Sequence, residues 1–343
     1  MLTLSAAVAV ASCAAPTDYS AIQAYTTTTA QSADAFAILS ADFAKSCDRY
    51  RIVALGLVEP NAQAAQSATI VAAAPSLAAF LIAGGVPRSG YRLSAASRLQ
   101  SAPNAAAAPA IVTNCDGARA ASEAWADANG ALLNYVQALG NLAGVDAVPT
   151  VNPSPFVAGL SQAGVSASAT QAVSGLIASI GAFFINQARE RQIAQFLDAV
   201  NPYMPGALEA LQVTDAAYTI ELESEYTMTV ARYDAYVREE IAERNRRAAA
   251  REGNSQATRG ATYAISARLA RTKGAVEASL AAIDRRLRAS AAYGAAVEAI
   301  LKTHEELYDA AQTRASLNDY LEIVKSAGQP VVANLTELTK AVK

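Results

Sequence analysis

The residues able to do chemistry are few. The 343-residue chain has one histidine, His304, and three cysteines, Cys13, Cys47 and Cys115. Histidine is the commonest proton carrier near neutral pH. His304 stands in Lys302-Thr303-His304-Glu305-Glu306, with Val297, Leu301 and Tyr308 at helical spacing beside it. That spacing puts it at the edge of an apolar stripe, paired with a carboxylate or a tyrosine hydroxyl, rather than in a nucleophile turn. No HExxH, GxSxG or P-loop pattern occurs. The doublets Glu239-Glu240 and Glu305-Glu306 are adjacent in sequence, so on a helix their carboxylates do not face each other. No cysteine lies in a CxxC pair or near the histidine, which argues against a metal site or a redox catalyst. The chain is therefore expected to be non-catalytic and to need no cofactor.

The elements that carry these residues read as helices. The hydrophobic fraction of 52% is largely alanine, and aromatics make up only 6%. Alanine is the best helix former and buries little area, so long, closely packed helices are expected rather than a sheet. A first helix from near Tyr19 carries Ile22, Thr29, Phe36, Phe43 and Tyr50 on one heptad row and Tyr25, Ser32, Leu39, Ser46 and Val53 on the other. Gly56 and Pro60 end it, and 56–113, with five prolines, is an irregular excursion. A second helix opens at Asn114 or Asp116, carries the only tryptophan, Trp125, on its core row, and stops at Gly144. A third is expected from Ser154 or Pro155 toward Val200. Most of a run with no charged residue, 147–188, falls within it, and its small residues Gly159, Ala163, Gly164, Gly175, Ala178 and Gly181 allow close helix approach. A fourth runs from about Ala207 to Arg251 and a fifth from about Ala257 to Ala327, so that 207–327 forms a long helical hairpin. Gly328 and Pro330 close the fifth, and Val331 to Val342 makes a last short helix with Val332, Leu335 and Leu338 inward. The fold class expected is all-α: one domain over 19–343, an elongated bundle of four to five long antiparallel helices.

The first twelve residues carry no charge and end in Val10-Ala11-Ser12-Cys13. This resembles the lipobox of bacterial lipoproteins, a branched apolar residue and two small ones before a cysteine. The resemblance implies a signal peptide over 1–12, cleavage before Cys13, lipid on Cys13, and a tether over 13–18. It also implies a cell-envelope address facing the periplasm, with Ala14 and Ala15 favouring the outer membrane over the inner. The pattern departs in one respect: no Lys or Arg precedes the apolar run, which a start upstream of Met1 would supply. With Cys13 taken by lipid, Cys47 and Cys115 remain. An even pair in an oxidising compartment reads as a disulfide; the other reading is two buried thiols.

Charge bears on partners. Lys and Arg number 27 and Asp and Glu 30, a formal net charge of −3, which suggests neither nucleic-acid binding nor a polybasic membrane patch. The junction of the fourth and fifth helices is nevertheless basic, through Arg244, Arg246, Arg247, Arg251 and Arg259. It could meet lipid phosphates, an anionic envelope polymer such as a polysaccharide, or an acidic envelope protein, although a solvated hairpin end is the plainer reading. The leading expectation is a lipid-anchored, non-catalytic scaffold or binding module. The alternative is a membrane-active, pore-forming-like helical protein that inserts the charge-free 147–188 segment.

Overall fold

The computed structural model describes residues 20–55, 115–142, 155–184, 192–249, 255–313 and 315–342. The leader with Cys13, the 13–18 tether and the 56–113 excursion lie outside the described residues, as does Arg251. Among the described residues the protein is all-α, without a strand. The elements are α1 (Ser20–Gln31), α2 (Ala33–Leu55), α3 (Cys115–Leu142), a 3₁₀ helix (Pro155–Ala163), α4 (Ala167–Phe184), α5 (Gln192–Val200), α6 (Met204–Ala249), α7 (Ser255–Gln312) and α8 (Leu317–Val342).

Three boundaries differ from the sequence expectation, each for a local reason. The first helix is two, interrupted at Ser32. Thr26, Thr29 and Ser32 donate their hydroxyls to the carbonyls of Ile22, Tyr25 and Thr28, at 2.8, 2.7 and 2.8 Å, and such back-bonding bends helices. The third helix is a 3₁₀ helix and two α-helices. Gly164 takes a positive φ of 85°, and Ser166 then starts α4 by accepting a hydrogen bond from the Ala169 amide at 3.2 Å. Finally, α7 stops at Gln312, and α8 runs straight through Gly328 and Pro330. The signal overlooked is Ser316-Leu317-Asn318-Asp319. The Asp319 carboxylate accepts the Ser316 amide at 2.7 Å, a reciprocal cap that founds a new helix. Pro330 is tolerated because it and Ser326, whose carbonyl it deprives of a donor, are both exposed to water.

The contacts set the directions. Cys47 is joined to Cys115 at an Sγ–Sγ distance of 2.17 Å, while Gly140, near the other end of α3, packs against Thr26 of α1. Thus α3 runs antiparallel to the α1–α2 rod. Tyr218 and Glu225 of α6 meet Asp42 and Arg49 of α2 in the same order, so α6 is parallel to α2. Arg286 and Tyr293 of α7 meet Asp42 and Phe36 in reverse order, so α7 is antiparallel to it. α8 folds back along α7, with Thr303 donating to the Ala327 carbonyl at 3.0 Å, and packs on α1 where Tyr25 meets Gly328. Val331, Leu335 and Leu338 are its most buried side chains, Val331 taking the place expected for Val332.

Alanine and glycine set the spacing. A Cβ on Gly159 would collide with the backbone carbonyl of Ala120, and one on Gly175 with the ring of Tyr203. The charge-free stretch is not buried all round. Val173, Leu176, Ile177 and Ile180 of α4 face inward, whereas Ala167, Ser168, Gln171, Ser174, Ala178 and Ala182 are exposed. Its solvent face is built from small and neutral polar residues instead of charges. Among the described residues, no helix is long and apolar enough to cross a membrane.

The core does not follow α6 and α7 to their far ends. Among the described residues, Leu222 is the last fully buried hydrophobic side chain of α6 and Ile283 the first of α7. Beyond them the two helices continue as an arm with a thin seam. Tyr226, Thr229, Tyr233 and Tyr236 of α6 are half-buried, as are Leu269, Thr272, Val276 and Leu280 of α7. Ile241 is 48% exposed. The part of α6 from Glu225 to Ala249 reaches ~36 Å at 1.5 Å per residue.

Candidate functional site

Three polar constellations are built into this frame. The first crosses the body where α2, α3, α6 and α7 meet. Trp125, fully buried, donates its indole N–H to the Tyr293 hydroxyl at 2.9 Å. Tyr293 in turn donates to Asn129 Oδ1 at 2.7 Å, and the Asn129 amide reaches Ser40 Oγ at 3.5 Å. Beside them Ser290 donates to Asp215 Oδ1 at 2.7 Å, with the Thr219 and Ser290 hydroxyl oxygens 2.7 Å apart. Burial raises the Tyr293 hydroxyl well above the usual tyrosine range, and the Asp215 charge adds to this; its bonds to Trp125 and Asn129 work the other way. Ser290 and Asp215 resemble two thirds of a triad, but no imidazole adjoins them. The layer specifies which helices meet and in what register, since any slip would leave buried polar groups unpaired.

The second constellation closes the root of the arm. Arg49 of α2 grips Asp42 through two parallel bonds of 2.9 Å and Glu225 of α6 through Nε at 2.7 Å. Arg286 of α7 lies 3.4 Å from Asp42 and 3.8 Å from Glu225. Tyr218 donates to Asp42 at 2.8 Å. Burial alone would lower the Arg49 pKa, but the hydrogen bonds and charges of Asp42 and Glu225 outweigh it and hold the guanidinium above its usual value. With two arginines against two carboxylates the cluster is charge-balanced, and it acts as a clamp between α2 and the arm. Bidentate Arg–carboxylate geometry makes such a clamp directional.

His304 forms the third. It is fully buried, with Nδ1 2.9 Å from the Tyr135 hydroxyl and Nε2 3.2 Å from Asn201 Oδ1. An amide oxygen only accepts, so Nε2 carries the proton and Nδ1 accepts from Tyr135. Of the two partners expected for this histidine, a carboxylate or a tyrosine hydroxyl, the tyrosine is present, and the amide of Asn201 takes the other side. Burial pulls its pKa down to about 4. The neutral ring is thus native, and the unfolded chain takes up a proton first as pH falls below its ordinary value near 6.5. Stability from this source is complete above about pH 6.5 and declines as pH drops toward 4, by roughly 3 kcal/mol in all. Melting curves from pH 7 to 4 should show this slope in the native protein. In His304→Gln, which cannot titrate, the loss over that interval should be smaller by about that amount.

The other residues singled out by sequence are placed as follows. Cys47 and Cys115 are bonded and buried. Arg244, Arg246 and Arg247 lie exposed near the far end of α6, and Arg246 and Arg247 both pair with Glu243. Arg259 belongs to α7, but its side chain is outside the described residues. Glu239 is exposed and Glu240 buried, on different sides of the helix. Among the described residues, no group of three or more His, Cys, Asp or Glu side chains could hold a metal ion. The root clamp was missed. Its one sequence signal is Asp42 and Arg49, opposite charges seven residues apart on α2 beside the apolar stripe. Compared with known protein families, curated proteins and solved structures, the chain has no significant match.

Proposed function

We propose that the protein is a lipid-anchored, non-catalytic scaffold of the bacterial cell envelope. In this reading it is held through Cys13 and works through its helix surfaces. The observation that carries the reading is the pairing of Cys47 with Cys115 in a chain whose third cysteine ends a lipobox-like leader. Structural disulfides persist in oxidising compartments and are rare in reducing ones. The geometry adds a direction. Ser20, the first described residue after the tether, lies at the end of the α1–α2 rod remote from Arg49 and the root of the arm. From Ser20 to Arg49 is ~44 Å at 1.5 Å per residue, and the arm continues away beyond it. A membrane holding Cys13 would thus have the body next to it and the arm reaching outward.

The membrane-active alternative draws less support, because Val173, Leu176, Ile177 and Ile180 of α4 are already buried against the body. In cells, Cys13→Ala is expected to move the protein from the membrane fraction to the soluble fraction. Continued membrane association of that variant, with leakage of dye from vesicles, would favour insertion over anchoring.

A further inference from the structure

The net charge of −3 conceals a division of charge along the molecule. Between Arg244 and Lys273 the sequence has eight basic residues and one acidic, Glu252, while the rest of the chain has 19 basic and 29 acidic. The described part of that basic stretch, 244–249 of α6 and 255–273 of α7, lies on the outer part of the arm, set off from an acidic remainder. Arg244 lies ~28 Å along α6 from Glu225, and Lys273 ~20 Å along α7 from Arg286, two to three Debye lengths from the root clamp at ~0.1 M salt, so the body's charge neutralises this part only weakly.

Side-chain placement shows what kind of anion suits it. Arg238, Arg244, Arg246 and Arg247 of α6 and Arg271 and Lys273 of α7 are exposed. At about 100° per residue, Arg238, Arg246 and Arg247 project to three different sides of α6. Glu243 shares its carboxylate between Arg246 and Arg247, and Lys273 lies 3.6 Å from Glu277. These are exposed pairs, which hold their partners weakly and can be exchanged for an external anion. A planar bilayer could engage only one side of such a rod. Between the charges of α6, Ala242, Asn245, Ala248 and Ala249 are small or polar, and Ile241 is the one exposed large apolar side chain, too little to seat the arm in a bilayer. Cationic groups on several sides of a slender arm instead match a flexible chain that wraps it or a mesh that it enters. Arginine in particular recognises phosphate and carboxylate through its planar fork.

We infer that the distal arm is a docking element for a linear polyanion bearing repeated phosphate or carboxylate groups. That the polymer belongs to the envelope, and is not a nucleic acid, rests on the exported address proposed above; the electrostatic inference does not. On this assignment the acidic body repels the polymer and the arm receives it, so a bound chain stays at the end remote from Ser20.

The test uses the full chain carrying Cys13→Ala, so that lipid plays no part. Binding to long-chain polyphosphate and to alginate is measured against titrated salt, with phosphatidylglycerol vesicles and duplex DNA as comparisons. Polyphosphate separates phosphate from alginate's carboxylate as the preferred group. Binding to at least one polymer is expected, with affinity falling roughly 20-fold between about 50 and 200 mM salt if about three charges are engaged. The triple variant Arg244→Glu/Arg247→Glu/Arg271→Glu should lose binding by ~10-fold or more at the lower salt, with an unchanged helical spectrum and melting temperature. Absence of binding to both polymers, equal binding by the triple variant, or preference for vesicles or duplex DNA would overturn the assignment. None of these outcomes bears on whether Cys13 is lipidated, so failure here is distinguishable from failure of the anchoring proposal.

Discussion

Trp125→Ala is expected to lower the unfolding free energy by about 3–5 kcal/mol, the usual cost of emptying a buried tryptophan site. The site has little freedom to collapse. The indole is fully buried, edge-on to Phe43 and Tyr293 and tilted against Tyr218, with ring centroids 6.1, 5.2 and 5.6 Å away. These neighbours come from α2, α7 and α6, so a void there loosens three helices at once. The indole N–H is also the donor to Tyr293, and its loss removes one partner from a buried hydroxyl. Trp125→Phe should separate the two contributions: most of the packing stays, and a loss of about 1–2 kcal/mol would be left to the missing hydrogen bond. Because Trp125 is the only tryptophan, the variants are best followed by far-UV circular dichroism in urea. A loss below about 1 kcal/mol for Trp125→Ala would mean that this layer does not organise the bundle.

Cys47→Ala/Cys115→Ala is expected to cost roughly 4 kcal/mol in the chain-entropy model, since the bridge closes a loop with a sequence separation of 68. The effect comes mostly from the unfolded state, where the bridge holds residues 47 and 115 together and so restricts the freedom of the chain between them. A reductant should therefore lower the melting temperature of the native protein and leave that of the double variant unchanged. If the native protein melts identically with and without reductant, the bridge does not form in the folded chain.

The sequence revealed helices well and their joints poorly. Heptad rows such as Ile22, Phe36 and Phe43, or Ala118, Trp125 and Leu132, announce a buried face, and those side chains are buried. Joints depend on competition between weak local signals. Pro330 looked decisive because it removes a backbone donor, yet on a water-exposed face that removal is cheap. Ser316 and Asp319 looked ordinary, yet their mutual capping starts α8. The polar constellations were legible only in part. His304 could be placed at a core edge by spacing, and tyrosine was one of its foreseen partners. Which tyrosine is set by α3 lying antiparallel to α1–α2, a tertiary fact. The clamp of Asp42, Arg49, Glu225 and Arg286 draws on three helices. Apart from the seven-residue spacing of Asp42 and Arg49 on α2, nothing in one helix distinguishes its charges from the solvated pairs, such as Arg288 with Asp284, that decorate the same surfaces. The charge division behind the proposed polyanion contact is visible in sequence as a count. Only the exposed, slender arm turns that count into a location.

On the function proposed above, this helical protein hangs from a membrane by Cys13 and works on the oxidising side. The most direct test is intact-mass and N-terminal peptide mass spectrometry of protein purified from membranes of its own cells, alkylated before and after reduction. The predicted result is a chain that begins at a diacyl- or triacylglyceryl-modified Cys13, with Cys47 and Cys115 protected from alkylation until reduced. A chain that keeps residues 1–12, an unmodified Cys13, or a Cys47 and Cys115 that alkylate freely in the folded protein would contradict it.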